Sequence, residues 1–213
     1  TSIGTEEPKT PAHVVKITGN DSDNLEITLD KVTIENKKEP NNTPGIVLMS
    51  GSATLALKGN NAITGSNMGP AVQINKDAVL TIKDSGAGDG VLVARTASNN
   101  NTAAIGAPRN AGTFAAKAQR SGGKLIIESG TIDAYAGNNG AAIGAGNEVY
   151  FGDIVINGGT VKAETQNHYA IATYTNLKTE DWTNDVGGLI INGGTLTAIN
   201  NNKGGNCVKV NGF

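Results

Sequence analysis

"INGGTVKAE" at residues 156–164 returns as "INGGTLTAI" at 191–199. Laid over a third segment, "ESGTIDAYA" at 128–136, the two copies share one plan. An apolar triplet leads to Asn or Glu, then a Gly-containing turn, then Thr and an alternating strand. The alternation puts Ile132, Val161 and Leu196 on one inward column, and Ala134, Ala163 and Ala198 on a second. Thr131, Thr160 and Thr195 then form an outward ladder. Asn157 and Asn192 hold one place in the turn, where a stacked Asn bonds its own copy a coil away. The equivalent threonines are 29 and 35 residues apart, so the variation falls in loops, as in stacked repeats.

The first half repeats the theme loosely. "LEITLDKVTIEN" (25–36), "ATLALKGNNAITGS" (53–66) and "AVLTIKDSGAGDGVLVA" (78–94) each give strand, turn, strand. A third short strand follows each, as "GIVLM", "AVQI" and "TAAIG". Three short strands cannot bury their apolar faces alone, but stacked coils can. The expected fold is an all-β, right-handed parallel β-helix of about six irregular three-strand coils. The alternative is a β-sandwich, which short strands and Gly turns also suit, though it requires no repeated offsets. No sustained 3.6-residue periodicity supports a helical solenoid. Residues 1–13, opening Pro- and Thr-rich, read as a linker or N-terminal extension, and 14–213 as one β-helix domain.

Composition agrees. The 213 residues include 29 Gly and 26 Asn, with only 4% aromatic and 17% charged residues. Gly and Asn both tolerate positive φ and supply turns, while the scarcity of aromatics leaves the core to aliphatic side chains and Ala. A net charge of -2 does not indicate nucleic acid or an anionic membrane surface as partner. No stretch reaches the roughly 18 apolar residues of a membrane span, so membrane insertion by this segment is not expected. The one cysteine, Cys207, has no internal partner and reads as a small buried residue beside Val208. The absence of an initial Met fits a chain whose targeting segment has been removed.

Residues 123–210, with "I-I-N-G-G-T-[VL]-x-A" followed by "G-A-A-I-G" at 140–144 and in part at 103–106, resemble the Gly-rich repeats of adhesin-like or carbohydrate-binding-labelled β-helix surface proteins of anaerobic bacteria. The resemblance covers about residues 14–213. It implies a secreted or cell-surface location, with lipid anchoring through a removed N-terminal segment as one route, and recognition of a glycan or a host or cell-surface protein.

Signs of catalysis are few. β-Helix enzymes that cut polysaccharides need clustered carboxylates on adjacent coils, and the outward column Asp133, Lys162, Thr197 offers one acid, one base and one neutral residue. The expectation is a non-enzyme, with a polysaccharide lyase or hydrolase, or a protein-interaction scaffold, as the alternatives. Two His and one Cys are too few for a zinc site without carboxylates at ligand spacing. No cofactor is expected; Asp21 and Asp23 in "GNDSDN" suit Ca²⁺, but read first as a plain turn. "DSGAGDG" (84–90) looks like a phosphate-cradling loop without the Lys and following helix that would make it one.

Aromatic residues carry the binding hypothesis, because a sugar face stacks on a ring. The only Trp stands in "TNLKTEDWTNDVG" (175–187), the loop that lengthens the second repeat step. Trp182, with Tyr174, Tyr169 and His168, is the candidate ligand site, although Trp182 reads first as a cap that folds back over an apolar surface. Ile126, Val155 and Ile190, the middle residues of the triplets, point outward and form an apolar stripe for a partner or a covering loop. The matching earlier positions are read as Thr28, Ala56 and Thr81.

Overall fold

The computed structural model describes residues 13–19, 25–37, 42–97, 101–109, 121–176 and 186–211. These residues contain no helix and form three parallel sheets. Sheet I stacks Leu25–Asp30, Ser52–Lys58, Val79–Asp84, Lys124–Ile127, Ile154–Ile156 and Leu189–Ile191. Sheet II stacks Thr33–Glu35, Asn60–Thr64, Val91–Arg95, Thr131–Ala136, Thr160–Thr165 and Thr195–Asn200. Sheet III stacks Val15–Thr18, Ile46–Ser50, Val72–Ile74, Ile105–Gly106, Ile143–Gly144, Ile171–Ala172 and Val208–Lys209. The chain visits the sheets in rotation, and each strand pairs in parallel with the one a coil away. That order is a β-solenoid and removes the sandwich alternative, whose strands would pair antiparallel.

Register follows the repeat residue for residue. In sheet II, Thr131 pairs with Thr160 and Thr160 with Thr195, and the Ile132–Val161–Leu196 and Ala134–Ala163–Ala198 columns stand as the alternation requires. In sheet I, the column Ile27, Leu55, Ile82, Ile127, Ile156, Ile191 runs inward along the stack. Its members from Leu55 to Ile156 are wholly buried. Burying each such side chain contributes about 1.5–3 kcal/mol, offsetting the chain entropy that three-residue strands cannot recover alone. At the last described coil the column opens, and Ile191 is 51% exposed.

Two buried asparagines are satisfied across coils. Buried Asn61 accepts from the Val32 N–H at 2.9 Å and shares its amide protons among the carbonyls of Lys58, Gly59 and Val91. Buried Asn36 does the same for His13 and Pro44. On the outside, the Asn192 amide donates to Asn157 Oδ1 at 2.7 Å, and that of Asn157 donates to Glu128 at 2.9 Å. The expected ladder is therefore present, with a carboxylate at its foot.

Glycine is needed where coils touch at the sheet III corner. Gly106 and Gly144 have φ of 141° and 115°, and a Cβ on either would lie 2.0 Å from a carbonyl oxygen of the next coil. Both sit in "AAIGA" segments that fold back, so that Ala103 and Ala141 donate to the carbonyls of Ala107 and Ala145.

One phase differs from the sequence reading. The column that holds Ile126, Val155 and Ile190 continues upward as Thr81, Thr54 and Glu26. Thr28 and Ala56 belong to the neighbouring outward column, with Lys83. The first two strands of sheet I extend farther along the chain than later ones, and matching them by their last apolar residues shifts the phase by two. Ala56 is fully buried although it faces outward, because Lys83 reaches across its strand to Glu26 at 2.8 Å.

Candidate functional site

His168, Tyr169 and Tyr174 flank one strand of sheet III. Ile171–Ala172 is buried and fixes the chain, with His168 and Tyr169 just before it and Tyr174 just after it. The next coil lays Val208 on Ile171 and Lys209 on Ala172. Lys209 thus starts from the outward position of the short strand. Its ammonium lies 4.6 Å from the ring centre of Tyr174 and 5.2 Å from that of Tyr169, within cation–π range. His168 meets Tyr169 edge-to-face, with ring centres 4.3 Å apart. The stack thereby brings His168, Tyr169 and Tyr174 together, and all three are half-buried. Trp182 lies in 177–185, outside the described residues.

Sequence reasoning missed Lys209. The signal was its place in the repeat: the three coils before it have Gly106, Gly144 and Ala172 at that place, and at Lys209 a long side chain returns to a column that carries Lys16 and Gln73 in earlier coils.

Burial pushes the His168 imidazole below its usual pKa; a hydrogen bond with Asn176 opposes that shift and the Lys209 charge adds to it. At neutral pH the ring is uncharged and acts as a hydrogen-bonding group. The His168 carbonyl accepts from the Asn200 amide of the following coil, which fixes the loop. Chemically, the cluster offers two phenol rings, one ammonium and amide groups. Because Lys209 covers the ring faces, a sugar approaching them either displaces the ammonium or takes a hydrogen bond from it.

The outward face of sheet II gathers charge, but in pairs. Arg95 binds the Asp133 carboxylate and carbonyl, each at 2.6 Å. Lys162 contacts Glu164 at 2.6 Å, and Asn201 donates to the same carboxylate at 2.9 Å. The Lys162 contact, then the Asn201 bond, hold the Glu164 carboxyl below its usual value, so it is not protonated near neutral pH. A general acid must carry a proton at working pH, and Glu164 does not.

The glycine loop at 84–90 cradles an anion of its own. Asp84 Oδ1 accepts from the amides of Gly86 (2.6 Å) and Gly88 (2.9 Å), and Oδ2 from that of Gly90 (2.7 Å). These bonds, with Gly88 and Gly90 foremost, lower the Asp84 pKa. The carboxylate fills the nest where a phosphate would sit.

The outward stripe of Ile126, Val155 and Ile190 is half-buried rather than open. Tyr150 and Phe151 are buried. Cys207 is half-buried and unbridged, not fully enclosed. Asp21 and Asp23 fall outside the described residues, among which no group of three or more His, Cys, Asp or Glu could hold a metal ion. No helix of the described residues is long and apolar enough to cross a membrane.

Fold and register define the chain as a three-sheeted parallel β-solenoid. No protein family, no curated protein and no solved structure matches it.

Proposed function

We propose that this chain is a non-catalytic, secreted or cell-surface β-helix that acts in adhesion by recognising glycans through the loops flanking sheet III. The observation that carries the reading is the convergence of Tyr169, Tyr174 and His168 around Lys209. Phenol rings give a sugar an apolar face, while the ammonium and neighbouring amides serve its hydroxyls. The solenoid acts as a rigid spacer that fixes where the loops stand. Pairing of the sheet II carboxylates with Arg95 and Lys162 supports a non-catalytic reading.

The test is a glycan array probed with the wild type, Tyr174→Ala and Trp182→Ala. Binding by the wild type, lost in Tyr174→Ala with the far-UV circular dichroism unchanged, is the expected result. Binding that survives Tyr174→Ala, or no binding across the array, overturns the proposal and turns attention to a protein partner on the Ile126–Val155–Ile190 stripe.

A further inference from the structure

Between sheets III and I a groove of about 310 Å³ runs across successive coils. Its floor is backbone. Gly123, Gly152 and Gly187 stack there, and a Cβ on them would lie 2.0 Å from the Ala78 carbonyl, 2.9 Å from that of Gly123 and 2.1 Å from the Gly152 carbonyl carbon. Packing of coil on coil therefore forbids side chains at these three places.

The rim is polar and balanced. Lys124 Nζ stands 3.2 Å from Asp153 Oδ2, and both side chains are about one-third exposed, 38% and 35%. The Gly188 amide donates to Asp153 Oδ1 at 3.1 Å and fixes the carboxylate. Lys76 and Asp77 stand on the turn at the other wall, with Asp77 held at a φ of 63°. Ser121 also lines the groove; its Oγ is enclosed and has no hydrogen-bond partner among the described residues. An enclosed hydroxyl without a partner costs free energy, which is recovered when the Ser121 side chain rotates to meet a ligand oxygen in the groove.

We infer that this groove is a second binding site, separate from the tyrosines, for a neutral polyhydroxylated ligand, namely a saccharide held through adjacent ring hydroxyls. Among the described residues, the two ammoniums and two carboxylates that line the groove balance, which favours neither a polyanion nor a metal ion. A hydroxyl both donates and accepts, so one can accept from Lys124 while its neighbour donates to Asp153. Neighbouring hydroxyls on a sugar ring stand about one hydrogen-bond length apart, close to the Lys124–Asp153 separation. Among the described residues no aromatic side chain lines the groove, so the recognition they offer rests on hydroxyl geometry rather than on stacking. The inference does not depend on the tyrosine cluster.

The experiment is titration of ¹⁵N-labelled full chain with the methyl glycosides of glucose, galactose and mannose, their 2-deoxy forms and glucuronate. Variants are Asp153→Asn, Ser121→Ala and Tyr174→Ala. Saturable shifts at Ser121, Lys124 and Gly188 with a neutral glycoside are expected. Affinity should fall at least tenfold in Asp153→Asn and stay unchanged in Tyr174→Ala. Ser121→Ala, which removes one hydroxyl from the wall, keeps the test readable if Asp153→Asn perturbs the coil, and should weaken binding severalfold. Absence of shifts at these amides with every neutral glycoside, tighter binding of glucuronate, or full affinity in both groove variants overturns the assignment. Array binding lost in Tyr174→Ala while groove shifts persist would separate this site from the aromatic one.

Discussion

Replacing Asn61 with Ala tests whether buried side-chain amides tie the coils together. The four hydrogen bonds of this side chain are not equal. The carbonyls of Lys58 and Gly59 also accept from the backbone amides of Lys31 and Val91, so losing the Asn61 donor leaves them served. The Val32 N–H has Asn61 Oδ1 as its only acceptor among the described residues, at 2.9 Å. Stranding one such donor costs about 1–3 kcal/mol, and the lost hydrogen bonds add about 1 kcal/mol net. The expected loss is about 2–4 kcal/mol, a fall in Tm of roughly 4–16 °C for a chain of this size. Urea titration followed by far-UV circular dichroism measures it. Asn192→Ala is the control, since it removes an exposed ladder bond and should stay within about 0.5 kcal/mol of wild type. Asn61→Asp should be worse than Asn61→Ala, because it turns a carboxylate oxygen toward three carbonyls. A loss below about 1 kcal/mol for Asn61→Ala, or one no larger than for Asn192→Ala, refutes the reasoning.

The same logic extends to the core, the corners and the acid limb. Ile156→Ala should cost about 2–5 kcal/mol, and Ile191→Ala, one coil on in the same column but half open, less than half of that by the same titration. Gly144→Ala forces a Cβ to within 2.0 Å of the Ala172 carbonyl and should abolish soluble folded protein. Gly86→Ala also has positive φ but meets nothing within 4 Å, and should be recovered folded with a lower melting temperature. Because the folded pKa of Asp84 is depressed, its contribution is present above the unfolded value near 3.8 and is lost as pH falls through the folded value. Asp84→Asn should therefore be less stable than wild type at pH 6, with the gap closing below about pH 3.8; an unchanged gap at pH 2 would count against the nest.

Period-two alternation and repeated threonines made sheet II legible to single-residue register, because a slip of one there turns Ile132, Val161 and Leu196 outward. Sheet I was legible in its last three strands and misphased in its first two. "LEITLD" and "ATLALK" carry apolar residues beyond the three that later coils keep, so the pattern alone did not say which to align. Asn157 and Asn192 announced their ladder through identical places in the repeat. The site was half legible. Tyr169 and Tyr174 could be named as candidates, but Lys209 joins them only through a short strand from the following coil. Nor could the groove be read, since its walls come from Lys76, Lys124 and Asp153 on three coils and its floor from glycines that looked like ordinary turns.

The cross-coil hydrogen bonds of all three sheets point along the solenoid axis, which gives the fold a mechanical character. Tension applied between the ends loads those bonds in series, so the weakest coil-to-coil contact sets the force the whole column can bear. Among the described residues that contact is the one under Leu189–Ile191 and Thr195–Asn200, where the inward side chains are least enclosed. Yielding there would part Lys209 from Tyr169 and Tyr174, so a pull strong enough to peel one coil would also dismantle the aromatic cluster while the remaining column stands.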